Sequence, residues 1–312
     1  MNAIFNPALL LFLGGILFGL LSKKIFPDVV SKYLGYYLLL SLGLKGGISL
    51  ETTGFIDDVV NVLSLGVFLA ILIPLIAYLY LKNILNIEDA SALAGTYGSV
   101  SAVTFVTAIN FLSNSTQQFD NYMSAVLVVM EFPAIFMALF LFTRKRTDGV
   151  NNLQTVKSAF LEIPNIILLG SLIISYSFNF SQYLQINLIT ESLFDYVLVL
   201  FLFVMGTRVA RRIGELKGRS NNLILFALIT PIISSTLALI ASIYFLLSPG
   251  NATLLMVLAA SASYIAVPAV VKDAIPDANP AIYLGLSLGI TFPFNIIFGI
   301  PLYNELAKYF LG

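Results

Sequence analysis

Two stretches of this chain carry the residue types that can hold an ion. In Val257–Pro280, Ser261, Ser263 and Tyr264 come shortly before Pro268, and in Ala92–Leu112, Gly95, Gly98, Ser99 and Ser101 fall within seven positions. Both stretches begin apolar and then turn to small and hydroxyl residues where a membrane helix should be most apolar. An unpaired backbone group costs several kcal/mol in a bilayer, so irregular backbone survives there only where it is buried in protein or lines a cavity. Paired interruptions at matching places in two halves of a chain point to a transporter binding site. The plainer alternative is that the small residues only let helices pack closely. Half-helix N-termini at the breaks would present N–H groups and partial positive charge to an anion. The candidate donors are the backbone of Gly98, Ser99, Val100 and Ser101 and that of Ser261, Ala262, Ser263 and Tyr264, with the hydroxyls of Ser99, Ser101, Ser261 and Ser263. In the alternative reading these serines bond to carbonyls one turn back.

Outside the breaks, Glu131 lies well inside the fifth apolar segment, and an intramembrane carboxylate is by default a functional hypothesis. It can bind a cation, carry a proton or hold a neighbouring helix; because Pro133 follows, it can also bond backbone donors freed by a kink. Lys45 and Arg208 are read as ending the second and seventh segments, where each can either balance the charge of a substrate or snorkel to the interface.

The elements that position these residues follow from composition. The chain has 312 residues, of which 59% are hydrophobic and 10% charged; its mean hydropathy is +0.95. That describes an integral membrane protein without a separate soluble domain. The first segment lacks a basic start and a small-residue cleavage site and is expected to be a retained helix. With no cysteine and no histidine, thiol chemistry, thiolate metal sites and the commonest general base are excluded. No phosphate-cradling loop, zinc-ligand spacing or nucleophile elbow is present, so the expectation is no enzyme, no cofactor and no resident metal. Zero net charge, with basic residues confined to loops, gives no support to nucleic-acid binding.

A spanning helix needs about 20 mostly apolar residues. The predicted fold is all-α and polytopic, with ten spans: Pro7–Ser22, Val29–Leu44, Asp57–Leu81, Asp89–Leu112 (broken), Asn121–Phe142, Ile163–Phe178, Ser192–Val209, Asn222–Leu247, Ala252–Lys272 (broken) and Ala281–Phe310. The halves repeat in order, residues 1–150 against 151–312. Asn6-Pro7 matches Ile163-Pro164, Ile73-Pro74 echoes Thr230-Pro231, the two broken spans correspond, and Glu131-Phe132-Pro133 matches Thr291-Phe292-Pro293. Five spans per copy turn the second copy over, which makes an inverted repeat within a single membrane domain.

Loop charge bears on the count independently. Loops after odd-numbered spans receive Lys23, Lys24, Lys32, Lys82, Arg144, Lys145, Arg146, Lys157, Arg208, Arg211, Arg212, Lys217, Arg219 and Lys272, leaving only Lys45 and Lys308 of the 16 basic residues for the other side. The positive-inside rule then puts both termini outside. The basic loops Arg144–Lys157 and Arg211–Arg219 would touch anionic lipid head groups or dock a regulator.

With the repeats placed, the sequence resembles the cyanobacterial sodium-dependent bicarbonate transporter family over nearly its whole length. The resemblance rests on Ala259-Ala260-Ser261 with Ile265 and Pro268, Ala274-Ile275-Pro276 with Ala278-Asn279-Pro280, and Gly299-Ile300-Pro301-Leu302. Met205-Gly206 followed by Arg212-Ile213-Gly214-Glu215-Leu216, Gly43-Leu44 with Gly46-Gly47, Gly98 with Val100-Ser101, and Glu131 before Phe132-Pro133 also follow the family pattern. It implies sodium-coupled bicarbonate uptake at the bacterial plasma membrane, a homotrimer, a substrate and sodium site between the two interrupted helices, and a PII-type signalling protein as a cytoplasmic partner. The chain departs from the pattern at Ala102-Val103-Thr104, where the family shows Gly-Ser-Thr and only Thr104 is kept. It departs again at Tyr264, where the family has aspartate. Lys45 and Arg208 stand where it tends to have Thr and Glu. Thr104, Glu131, Lys45 and Arg208 are therefore the candidates for a cation or counter-charge role. The alternatives are a relative carrying another small anion, independent of sodium or coupled to protons, or a membrane protein without transport that binds a cytoplasmic partner.

Overall fold

The structure, a computed structural model, describes residues 7–22, 26–115, 117–143, 161–178, 180, 188–215 and 220–312. The basic residues Lys23, Lys24, Arg144, Lys145, Arg146, Lys157, Lys217 and Arg219, and Asn6 of the first repeat match, lie outside the described residues. The described residues are mainly helical, and no strand occurs among them. In chain order they are α1 (Pro7–Ser22), α2 (Asp28–Thr53), α3 (Asp57–Leu81), α4 (Ile87–Gly98), α5 (Ala102–Asn114), α6 (Met123–Thr143), α7 (Ile163–Ser177), α8 (Phe194–Glu215), α9 (Asn221–Tyr244), α10 (Pro249–Ala260), α11 (Ala266–Ala274) and α12 (Pro280–Leu311).

Six helical runs among the described residues are long and apolar enough to cross a membrane: Asp57–Leu81, Ile87–Asn114, Met123–Thr143, Thr190–Arg212, Asn221–Tyr244 and Pro280–Leu311. The helices α1, α7 and α10 are apolar but shorter, while α2 has 26 residues and carries Asp28, Lys32, Lys45 and Glu51. The apolar part of Ile87–Asn114 is 94% buried against 44% for α3 and α9, so the interrupted run sits at the centre and α3 and α9 lie at the periphery.

Local chemistry explains where these helices begin and end. Asn86 accepts from the Asp89 N–H at 2.8 Å, Ser248 from Asn251 at 3.3 Å and Asn279 from Ala281 at 3.0 Å, each satisfying a donor that the first helical turn leaves over. Pro164, Pro249 and Pro280 occupy first-turn positions, where a missing N–H costs nothing. Gly54 ends α2 with φ 73°, a left-handed conformation suited to glycine.

The packing has a two-fold regularity. The helix α1 lies along α8 as α7 lies along α2; α3 packs on α4 as α9 packs on α10; and α6 lies against α4 as α12 lies against α10. Small residues set these close approaches. A side chain at Gly43 or Gly47 of α2 would collide with Ser171 and Leu168 O, or with Ser175 and Leu172 O, of α7. At Gly206 of α8 it would collide with Phe12 O of α1. The connections repeat the pattern: Asp89 at the head of α4 accepts the Asn279 N–H at 2.7 Å, and Asn251 at the head of α10 accepts the Asp120 N–H at 2.9 Å.

Several boundaries differ from those read in the sequence. The second segment does not stop at Leu44 but runs on to Thr53, because Gly46-Gly47 continue the close packing instead of ending the helix. Lys45 is therefore inside α2 and not at its end. The seventh segment likewise continues past Val209 to Glu215, after a single π turn at Leu188–Ser192, so Arg208 too is inside its helix. The ninth begins at Pro249, three residues before the expected Ala252, because Ser248 caps it. The eighth ends at Tyr244 because Leu246 takes φ 53°. The last helix holds two π turns, Ser287–Thr291 and Asn295–Gly299, around Pro293.

Candidate functional site

Both expected interruptions are present. The helix α4 ends at Gly98 and α5 starts at Ala102; α10 ends at Ala260 and α11 starts at Ala266. The first break is fixed by packing against α3 and α6. A side chain at Gly98 would stand 2.5 Å from Pro74 Cγ, and one at Gly95 would collide with Ala138. Ser99 is extended, its N–H on Gly95 O at 3.1 Å, and Ser101 caps α5 by accepting from the Thr104 N–H at 3.2 Å. The Thr104 hydroxyl closes the same turn on Ser101 Oγ at 2.9 Å.

The two breaks meet. The Ser101 N–H donates to Ser261 Oγ at 2.8 Å, and the Ser263 N–H donates to the Thr96 carbonyl at 2.9 Å. Ser261 passes its own proton back to Leu258 O at 2.8 Å, and Ser263 Oγ accepts from the Val267 N–H at 3.4 Å at the head of α11. Ser99, Ser101, Ser261 and Ser263 are all buried. Several donors expected to face a ligand are therefore already spent within the protein: the N–H groups of Ser99, Ser101, Ser261 and Ser263 all have protein acceptors. Among the described residues, nothing accepts from the Ala102 and Val103 N–H groups that open α5.

A small cavity of about 30 Å³ lies at this crossing, lined by Val100, Ser101, Ala102, Glu131, Ser263, Tyr264, Ile265 and Ala266 together with Leu39, Leu127, Pro164, Asn165 and Leu168. Glu131, 6% exposed, reaches it from α6 and lies beside the Ser99 hydroxyl. This set can hydrogen-bond an anion from the head of α5 and offer a carboxylate oxygen to a cation from α6.

A second, larger cavity of about 450 Å³ adjoins the first, and Tyr264, Ile265, Ala102, Leu39 and Pro164 line both. It is walled by α2, α5 and α8 and carries Asp28, Lys32, Glu162, Arg208 and Arg212. Arg208 Nη2 bonds Asp28 Oδ1 at 2.6 Å, tying α8 to the head of α2. The Tyr264 ring stacks edge-on with Phe292 at 5.5 Å, and its hydroxyl neighbours Ser101 and Arg208.

The structure thus gathers Gly98, Ser99, Val100, Ser101, Thr104, Glu131, Ser261, Ala262, Ser263 and Tyr264 around one crossing and sets Arg208 in the adjoining cavity. Lys45 is not brought there. Its ammonium sits 4.6 Å from the Phe194 ring centroid at the opposite end of α8, with Glu191 and Asp195 nearby.

Three residues that support the crossing were not singled out from the sequence. Asn295 donates to Ala260 O, the last carbonyl of α10, at 2.8 Å and accepts from the Tyr303 hydroxyl at 2.9 Å. Tyr97 at the end of α4 bonds Thr291 Oγ1 at 2.6 Å, and Thr291 donates to Ala227 O at 2.8 Å. The available signal was that Thr291 and Asn295 are polar residues in a long apolar run.

Comparison with curated proteins returns no match. A family model, the Na+-dependent bicarbonate transporter superfamily, matches residues 7–308, nearly the whole chain. That makes the chain a transporter and not an enzyme; by sequence and by the two interrupted helices on which that sequence folds, it is a multi-pass membrane protein belonging to the Na+-dependent bicarbonate transporter superfamily.

Proposed function

We propose that this protein imports bicarbonate together with sodium by alternating access across a bacterial plasma membrane. Ten spans form a five-plus-five inverted repeat, residues 1–150 and 151–312, with both termini outside. The observation that carries the reading is the crossing of the two helix breaks, where Ser101 and Ser261 meet beside a cavity that also holds Glu131. The anion takes the open N–H groups at the head of α5, in the manner of helix-terminus anion sites. Sodium takes oxygen ligands, for which Glu131 and the Thr104 hydroxyl are the candidates. The paired packing of the halves supports the inverted repeat. A homotrimer and a PII-type regulator on the basic face complete the proposal by analogy with the family.

One observation favours a second reading. Tyr264 supplies a neutral phenol where the resembled family has a carboxylate, and Arg208 lies close to it. A fixed cation there would let the anion move without sodium.

Uptake of labelled bicarbonate into proteoliposomes, with and without an inward sodium gradient, tests both. Accumulation that needs the gradient is expected. Uptake indifferent to sodium would replace coupling with the second reading. No flux of bicarbonate or of small carboxylates would end the transport proposal and leave a membrane protein that docks a cytoplasmic regulator.

A further inference from the structure

The larger cavity stops where the three helices that wall it come together. It runs along α2 as far as Leu42, along α5 as far as Val106 and along α8 back to Phe201, with Asp28 and Arg212 at the other end. Leu42, Val106, Leu198 and Phe201 are buried in one apolar cluster. Past that layer the same three helices carry polar and charged side chains. Lys45 follows Leu42 by three residues, Asn110 follows Val106 by four, and Phe194 precedes Phe201 by seven. Those spacings keep each residue on the helix face that lines the cavity.

The side chains there join the helices. Asn110 Nδ2 donates to Asp195 Oδ1 at 2.9 Å, a bond from α5 to a charged acceptor on α8. Asn114, one turn further on, donates to Asn110 Oδ1 at 3.1 Å and so holds the carboxamide in that orientation. From α2 the Lys45 ammonium lies 4.6 Å from the Phe194 ring centroid, with Glu191 and Asp195 in reach of its charge. This tie crosses a division in the packing. The helices α1 and α8, and α2 and α7, lie along one another, whereas α5 packs chiefly on α10 and touches α2 and α8 over a few residues.

The geometry points to Asn110, Asp195 and Lys45 as the closure of the ion pathway at the end away from the cavity, a contact that has to part before an ion reaches the crossing from that side. It stands about 12 Å beyond Ala102 along α5, at 1.5 Å per residue. The inference rests on the alternating-access reading, and in the orientation proposed above this is the outer gate. Asp195 is exposed, so water replaces the bond as it breaks and the closure opens and re-forms at little cost.

The chain has no cysteine, so introduced thiols report alone. In a first arm Asn110→Cys and Asp195→Cys are combined in proteoliposomes and bridged with a short bifunctional methanethiosulfonate. Bridging is expected to stop uptake of labelled bicarbonate, and a reductant to restore it. Failure to bridge, or uptake that continues through the bridge, would overturn the closure. In a second arm Val106→Cys reports from the blind end of the cavity to a membrane-impermeant maleimide, added on the side where α2 ends and α3 begins. Adding Asp195→Ala, an exposed position whose loss leaves the fold intact, is expected to speed labelling about tenfold by shifting the population toward the parted state. An unchanged labelling rate overturns the proposal whatever the bridge does, since a bridge also stops a protein by stiffening it. Labelling needs no flux, which keeps the two readings apart. Faster labelling in a chain that carries no bicarbonate sinks transport alone, whereas uptake that passes the bridge sinks the closure alone.

Discussion

Ser101 and Ser261 stand 160 residues apart, one in each helix break, and the backbone N–H of the first donates to the side chain of the second at 2.8 Å. The relation is not reciprocal. The Ser261 N–H turns to Leu258 O, and the return contact across the crossing is made by Ser263 on Thr96 O. The hydrogen bonding across the crossing is therefore asymmetric.

Replacing Ser261 tests that contact. Ser261→Ala leaves the buried Ser101 N–H without an acceptor, a loss of about 1–3 kcal/mol. A lower melting temperature in detergent and at least about a tenfold fall in uptake are expected. Ser261→Leu should abolish uptake while the protein still inserts and assembles. Normal transport by Ser261→Leu would remove the residue from the pathway.

Glu131→Gln separates charge from shape. The amide fills the same space beside Ser99 in the small cavity, so expression and thermal stability should stay near wild type. Sodium-stimulated uptake should fall by more than about tenfold, since a neutral amide is a weaker cation ligand than a carboxylate. Full uptake with unchanged stability would show that the carboxylate neither couples nor supports.

Gly47→Val should be far more damaging than its size suggests. The new side chain would run into the Leu172 carbonyl oxygen as well as Ser175, and backbone cannot move aside as a flexible side chain can. Overpacking of this kind costs about 1–3 kcal/mol or more. Loss of the monodisperse peak in size-exclusion chromatography is the expected result. At Gly14, where nothing lies within 4 Å, Gly14→Ala should elute as wild type.

Asn295→Ala should destabilise more than Tyr97→Phe. The first change strips the partner from both Ala260 O and the Tyr303 hydroxyl, two buried groups at about 1–3 kcal/mol each. The second removes one of two bonds at Thr291, which keeps its own bond to Ala227 O. Urea or thermal unfolding of the two variants side by side checks the ranking.

The membrane class and both helix interruptions were legible in the chain because each is a local property. Apolar length sets a helix, and small and hydroxyl residues before Pro268 or around Gly98 set a break. The extent of α2 was misread for the same reason. Gly46-Gly47 looks like an ending until Ser171 and Ser175 of a helix more than a hundred residues away are seen to fill the space beside Gly43 and Gly47. Lys45 and Arg208 looked equivalent by position, yet one rests on Phe194 while the other binds Asp28 and adjoins Tyr264. Likewise, spacing could not tell which N–H groups at the breaks would stay open, since the acceptors Ser261 Oγ and Thr96 O arrive from the opposite half. By itself the sequence determined which segments are helical and where two of them must fail, since those are decided within a few residues. Only the tertiary structure decided which donors are spent, which cations face the cavities and that Asn295 and Tyr97 hold the crossing together, because each depends on groups far apart in the chain being packed side by side.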